Sequence, residues 1–396
     1  MLSTRKSVFN ALRATAILAA AALVTACAPQ QGRLSGAGVA VDVNQPVRVA
    51  LLVPLGSGDM GRENIARSIV NGAELAKSSL TNANIDLAIY PTGGSTGGGA
   101  TAAQQAVAEG AKIIIGPLFS TATSGAQPVA DAAGLTILSM SNNTAVAGGN
   151  VYILGNTFEN TADRLVRYGQ SRGLSNYGVV YPNGLEGDTA RNAVAQAVNG
   201  RGANLVASQG YDLSVAGIQA AAPSIAASMR GNGAQAIILT DGPTGGLGFI
   251  AEGLRGGGLD AASSLFLGMQ RWNSSAEAMA QPALQGGVFA AADPGLVAGF
   301  EGRYQNAYGS APHELASLGF DAVAAVGAMI ANARADGGSP FSQASIAQPA
   351  GFAGASGPFR FNPNGTNQRT LAIIEVRGGT SAVIERAATG FGGVGN

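Results

Sequence analysis

Residues 47–61 read VRVALLVPLGSGDMG. Val47 to Val53 is an apolar run broken only by Arg48, the pattern of a parallel strand covered on both faces. A helix is expected from about Arg62, because Ile65, Ile69, Ala73 and Ala76 recur at helical spacing on one face. Between them, Gly56-Ser57-Gly58-Asp59-Met60-Gly61 matches G-x-G-x-x-G, the turn that opens a dinucleotide site. Such a site also needs an acid at the end of the second strand to hold the ribose hydroxyls. Tyr90-Pro91-Thr92 stands there instead. The loop therefore reads as backbone N–H groups and the Ser57 hydroxyl at a helix N-terminus, suited to a carboxylate.

The alternation continues outward. Strands are expected at Ile85 to Tyr90, Lys112 to Ile115 and Leu135 to Ser139, with helices at Ala100 to Glu109 and around Gln127 to Ala133. The pattern restarts with strands at Tyr177 to Tyr181, Asn204 to Ser208, Ala236 to Thr240 and Leu265 to Met269. Strand–helix–strand order implies right-handed crossovers and parallel sheets, so the fold class is α/β with two Rossmann-like lobes and an interlobe cleft. Leu318, Ala322, Ala325 and Met329 line one face of a long helix within Leu315 to Ala333. Phe359 to Phe361, an Asn-Pro-Asn-Gly turn at 362–365 and Leu371 to Val376 read as a hairpin. Residues 46–153 plus 272–340 are assigned to the first lobe and 154–271 plus 341–396 to the second.

The N-terminus reads as a secretory leader over residues 1–26. Arg5, Lys6 and Arg13 precede an apolar run from Ala14 to Val24, too short to span a bilayer. The run ends in Val24-Thr25-Ala26-Cys27, a context that resembles the bacterial lipobox, where cleavage exposes Cys27 for acylation. Cys27 is the chain's one cysteine, which excludes an intrachain disulfide and a thiolate metal site. Residues 27–45 read as a lipidated tether with a reach of roughly 20–25 Å, anchored to a bacterial membrane and more in keeping with the outer one. Hydrophobic residues are 46% and charged residues 12% of the chain, which favours a packed protein over a disordered one. Without the leader, 20 bases face 23 acids. A mildly acidic chain with scattered arginines is a poor match for nucleic acid.

Enzyme chemistry finds little support. Gly94 to Thr101 (GSTGGGAT) resembles a P-loop with Ala100 in the lysine position, so nothing would neutralise terminal phosphates. His313 is the single histidine; it sits in Ala311-Pro312-His313-Glu314 at a helix start, with no G-x-S-x-G elbow and no second histidine for a metal pair. The chain reads as non-catalytic, without cofactor or metal. What remains is a set of polar residues at strand C-termini, where open α/β sheets bind ligands. They are Ser57, Ser120, Ser139, Ser141 and Asn142 in the first series, and Tyr181, Thr240, Asp241, Arg271 and Trp272 in the second. Trp272 reads as a platform at the cleft, with a packed side chain as the alternative.

The order VALLVPL, EGAKIIIGPLFS and TILSMSNN is similar to type I periplasmic binding proteins, whose best-known branch comprises the leucine/isoleucine/valine-binding receptors of ABC transporters. The resemblance covers about Val47 to Val383 and includes the closing segment Gly357-Pro358-Phe359-Arg360-Phe361. It implies a lipid-anchored periplasmic protein that captures an amino acid or similar small polar ligand for an ABC permease. In such receptors first-lobe serines hold the ligand carboxylate and a second-lobe acid meets its ammonium. Carried over, Ser57, Ser120, Ser141 and Asn142 face the carboxylate, and Asp241, with Tyr181, the amine. Amino-acid receptors usually carry an Arg where this chain has Leu154-Gly155-Asn156, and Ala-Thr in place of Asn142-Asn143. A second branch, the lipoprotein activators of penicillin-binding proteins, is similar at Gly61-Arg62-Glu63-Asn64-Ile65-Ala66 and at Leu154-Gly155-Asn156-Thr157. That likeness implies a penicillin-binding protein as partner, and Thr157 joins the candidate site residues.

Overall fold

A computed structural model describes residues 39–391; Cys27 and the leader lie outside them. The first sheet has the order β2-β1-β3-β4-β5 and is parallel throughout. Its strands are β1 (Val47–Val53), β2 (Ile85–Pro91), β3 (Ile113–Ile115), β4 (Ile137–Ser139) and β5 (Val151–Ile153). Alternate residues of β1 serve opposite faces, as a strand's period of two requires. Val49, Leu51 and Val53 pack with α1 (Met60–Ser78) on one side. Ala50 and Leu52 pack with α2 (Thr96–Ala108) and α3 (Ser120–Ala132) on the other. Asp59 starts α1 by accepting the Arg62 N–H at 2.8 Å, the standard side-chain cap.

The second sheet carries β6 (Asn176–Pro182), β7 (Asn204–Tyr211), β8 (Ala236–Leu239), β9 (Leu265–Gly268) and β10 (Val288–Ala291) in parallel. Its faces are covered by α4 (Phe158–Ser171) and α5 (Leu185–Gly200), and by α6 (Val215–Gly231) and α7 (Leu247–Gly256). The short helix α8 (Ala276–Ala280) lies between β9 and β10.

The chain returns to the first lobe with α9 (Pro294–Tyr308) and α10 (Ala316–Asp336). The latter is long and apolar enough to cross a membrane by length and composition. It is instead a core helix, with Ala322, Val323, Ala325, Val326 and Ile330 fully buried. Its contact with α1 is close because both helices use glycine at the crossing. A Cβ on Gly72 would lie 2.2 Å from the Ala316 carbonyl oxygen, and one on Gly319 2.2 Å from that of Ile69.

Two expectations change. The assignment of 272–340 to the first lobe and 341–396 to the second places both junctions wrongly relative to the strand ladders. Val288–Ala291 is an apolar run that pairs with β9, so the second lobe extends to about residue 291. Residues from the short helix α11 (Gln343–Ile346) to about 369 stay with the first lobe, where Phe361 packs edge to face with Phe352, Phe359 and Tyr152. The expected hairpin also closes differently. β11 (Phe359–Phe361) pairs with β12 (Asn367–Arg369), whereas β13 (Ala372–Arg377) crosses over to pair antiparallel with β10 and with β14 (Thr380–Glu385). The chain thus passes between the lobes after β5, after β10 and after β12.

Side chains tie these crossings together. Asn367 Nδ2 donates to the carbonyls of Ile153 (2.8 Å) and Gly155 (2.9 Å). Arg369 Nε donates to Leu154 O at 2.9 Å, and its Nη2 meets Asp321 Oδ2 at 2.9 Å. Arg164 Nε donates to Leu371 O at 2.8 Å. Asp321 is fully buried and also accepts the Ala355 N–H at 2.6 Å. Burial pushes its carboxyl up, and the Arg369 guanidinium opposes that shift.

Candidate functional site

A pocket of about 690 Å³ opens at the C-terminal ends of the second sheet's parallel strands. Pro182 ends β6, Glu186 and Ala190 come from the start of α5, Leu213 follows β7, and Thr240 to Gly245 follow β8. Gln270, Arg271 and Ser274 follow β9, and Glu314 reaches in from the first lobe just before α10. Both lobes therefore line it.

Of the sequence candidates, Thr240, Asp241 and Arg271 line this pocket. Thr240 is buried, and its Oγ1 has no hydrogen-bond partner among the described residues. Asp241 is committed to its own chain. Its oxygens accept the Tyr211 hydroxyl at 2.8 Å, the Gly242 N–H at 2.8 Å and the Gly246 N–H at 2.5 Å. Burial raises the Tyr211 phenol far above its usual range, and the Asp241 charge adds to that, so the phenol remains a donor. Arg271 Nη1 lies 3.0 Å from Glu314 Oε2, an ion pair from one lobe to the other with both side chains about half exposed. Tyr181 is half-buried under the Arg191 guanidinium, which lies 5.6 Å from the ring centroid.

The first-lobe candidates divide. Ser120 lies half-buried in the first turn of α3, whose N-cap Phe119 supplies no side-chain bond. The Arg62 guanidinium lies 5.3 Å above the Phe119 ring. Asn142 is exposed in the loop after β4. Ser57 is engaged internally, its N–H and hydroxyl both directed to Glu63 Oε1, at 2.9 and 3.2 Å. An internal carboxylate thus sits where this loop was expected to receive a ligand's.

Four candidates are structural. Ser139 is fully buried and bonds Pro117 O and the Thr123 hydroxyl. Ser141 is buried, with Oγ accepting the Asn143 N–H at 3.1 Å. Thr157 is buried and caps α4 through Asn160 N. Trp272 is fully buried, packed against Phe289 and the Gly268 and Gly287 backbones, so the packed alternative holds and the cleft platform does not. A polar neighbourhood in sequence misplaced it; the glycines that make room for the indole were the available signal.

Sequence reasoning passed over Glu186 and Glu314. Glu314 was read only as a neighbour of His313, whose Nδ1 accepts the Leu315 N–H at 3.2 Å. Among the described residues, no group of three or more His, Cys, Asp or Glu side chains could hold a metal ion.

The periplasmic binding protein family model matches residues 46–381. No curated protein matches. Among solved structures, a Rhodospirillum rubrum protein described as a branched-chain amino acid ABC transporter superposes with a TM-score of 0.71 at 18% identity, over 86% of this chain and 100% of that one. A Desulfitobacterium hafniense ABC transporter substrate-binding protein in complex with Leu gives 0.60 at 18% identity, over 86% and 100%. An R. palustris solute-binding protein in complex with benzoate gives 0.55 at 18% identity, over 87% and 97%. At these identities the likeness concerns the fold.

Proposed function

The chain belongs to the periplasmic binding protein family, and from that premise we propose that it is a non-catalytic, lipid-anchored solute-binding protein. It captures an amino acid or similar small polar ligand for an ABC permease. Family membership implies a periplasmic folded part, and the Val24-Thr25-Ala26-Cys27 context supports the anchor. The observation that carries the reading is the pocket at the strand C-termini, lined by the second lobe and by Glu314 of the first. A ligand there touches both lobes, so closing them about the crossings adds contacts that open lobes lack.

Thermal melting of the full chain against a panel of amino acids, amines and aromatic acids tests this. A ligand present at 100 times its dissociation constant adds about 2.7 kcal/mol to stability. A panel in which nothing moves the midpoint refutes solute capture. The second reading, an activator of penicillin-binding proteins working through protein contact, draws support from exposed apolar side chains at two helix starts. Met60 is 81% exposed and Leu185 87% exposed. Crosslinking from these two positions to a penicillin-binding protein, in the absence of any ligand shift, favours it.

A further inference from the structure

We propose that the interlobe pocket selects a ligand of net positive charge, a basic amino acid or a small amine, and that Glu186 and Glu314 carry the selection. The inference rests on the solute-capture reading of the same pocket and names the ligand's charge class. Three carboxylates line the pocket, Glu186, Asp241 and Glu314, against one guanidinium, Arg271. Asp241 is held by Tyr211, Gly242 and Gly246 and shapes the β8–α7 loop. The two glutamates are placed differently.

Glu186 is exposed in the first turn of α5 and has no hydrogen-bond or ion-pair partner among the described residues. Glu314 is bonded to Arg271, but with side chains 49% and 62% exposed the pair is worth little in water and exchanges readily for another cation. A ligand ammonium or guanidinium can therefore take up Glu314 while Glu186 approaches from the opposite lobe. The independent sign of a missing polar group is Thr240. The residue lines the pocket and is 4% exposed, and its Oγ1 is buried without a hydrogen-bond partner among the described residues. A buried hydroxyl left unbonded is costly, and a ligand N–H satisfies it.

Charge decides between ligand classes. An anion such as benzoate adds to an uncompensated negative wall, and a neutral zwitterion leaves the wall's net charge unchanged. A cation reduces that charge, and a cleft with low-dielectric walls focuses the attraction. Leu213, Ala190 and Pro243 on the same wall supply apolar contact for a methylene stem.

Calorimetry on the purified full chain with lysine, putrescine, leucine and benzoate tests the proposal. Lysine and putrescine should bind at least about tenfold tighter than leucine or benzoate. Glu186→Gln should weaken the basic probes by about tenfold to a hundredfold, the range for removing a charged hydrogen-bond partner. Leucine binding should stay within about twofold. Glu314→Gln should act in the same direction. Tighter binding of leucine or benzoate, or basic probes unaffected by Glu186→Gln, overturns the charge selection and leaves solute capture standing. If none of the four binds, the charge selection also falls, and the broader melting panel alone judges capture.

Discussion

Replacing Arg369 by Met tests whether a buried ion pair secures the passage between the lobes. The guanidinium gives Nη2 to Asp321 Oδ2 at 2.9 Å, Nε to Leu154 O at 2.9 Å and Nη1 to Ser356 Oγ at 3.1 Å, and lies 4.9 Å from the Phe359 ring centroid. Methionine keeps much of the apolar stem and loses every one of these bonds. Asp321 is then left 0% exposed with only the Ala355 N–H. Removing one partner of a buried pair costs about 3–5 kcal/mol, mostly from the stranded charge. Adding Asp321→Asn removes that charge and keeps an acceptor for Ala355 N–H, so the double variant should recover at least about half of the loss. Arg369→Lys should also lose stability, because one ammonium cannot reproduce the planar fork that reaches three acceptors. Urea unfolding of the full chain measures all three. A loss below about 1 kcal/mol for Arg369→Met, or no recovery in the double variant, refutes the stranded-charge argument.

Three further outcomes are expected. Cys27→Ser should move the protein from the membrane fraction to the soluble fraction, and unchanged membrane retention counts against the anchor. Gly72→Ala should destabilise by about 1–3 kcal/mol, the usual cost of overpacking, because its Cβ meets the Ala316 carbonyl at 2.2 Å; an unchanged urea midpoint refutes a rigid contact between α1 and α10. Tyr211→Phe should cost about 1.5–3 kcal/mol through the lost bond to the Asp241 carboxylate, and should speed amide exchange in the 241–246 loop; unaltered exchange there means the phenol does not hold the loop.

Much of the architecture was legible because the inner strands are covered on both faces. Runs such as Val47–Val53 and Ala236–Leu239 are apolar on both faces, and the helices between them repeat at helical spacing. The lobe junctions were not legible. Val288–Ala291 resembles any other short apolar run, and its membership follows from pairing with β9, a non-local fact. Thr370-Leu371 likewise gives no local sign that β12 ends in one lobe and β13 begins in the other. At the site, position at a strand end identified Thr240, Asp241 and Arg271 as lining residues. Whether a polar side chain serves a ligand or its own backbone depends on the donors around it. Ser139, Ser141 and Thr157 resemble Ser120 in sequence, yet each is spent on a loop or cap bond. Asp241 points at the pocket by position, but Gly242, Gly246 and Tyr211 meet it first.

Side-chain bonds also constrain the passages between the lobes. Two of the three crossings are fastened to each other and to the first lobe by side-chain bonds to main-chain carbonyls. Asn367 holds Ile153 and Gly155, Arg369 holds Leu154, and Arg164 holds Leu371. Those carbonyls cannot rotate without losing buried bonds, each expensive to leave unmade. The remaining crossing runs through Ala292 and Asp293, where Asp293 caps α9 through Gly295 N at 2.9 Å and meets the largely exposed Arg386 at 3.4 Å. A residue that starts a helix fixes where the helix begins but leaves the peptide before it free to turn. If the lobes close as proposed, the bend falls at the untied peptides beside these fastenings. Arg369 belongs to the fastening, so its loss should loosen both the fold and the geometry with which Glu314 is presented to the second lobe.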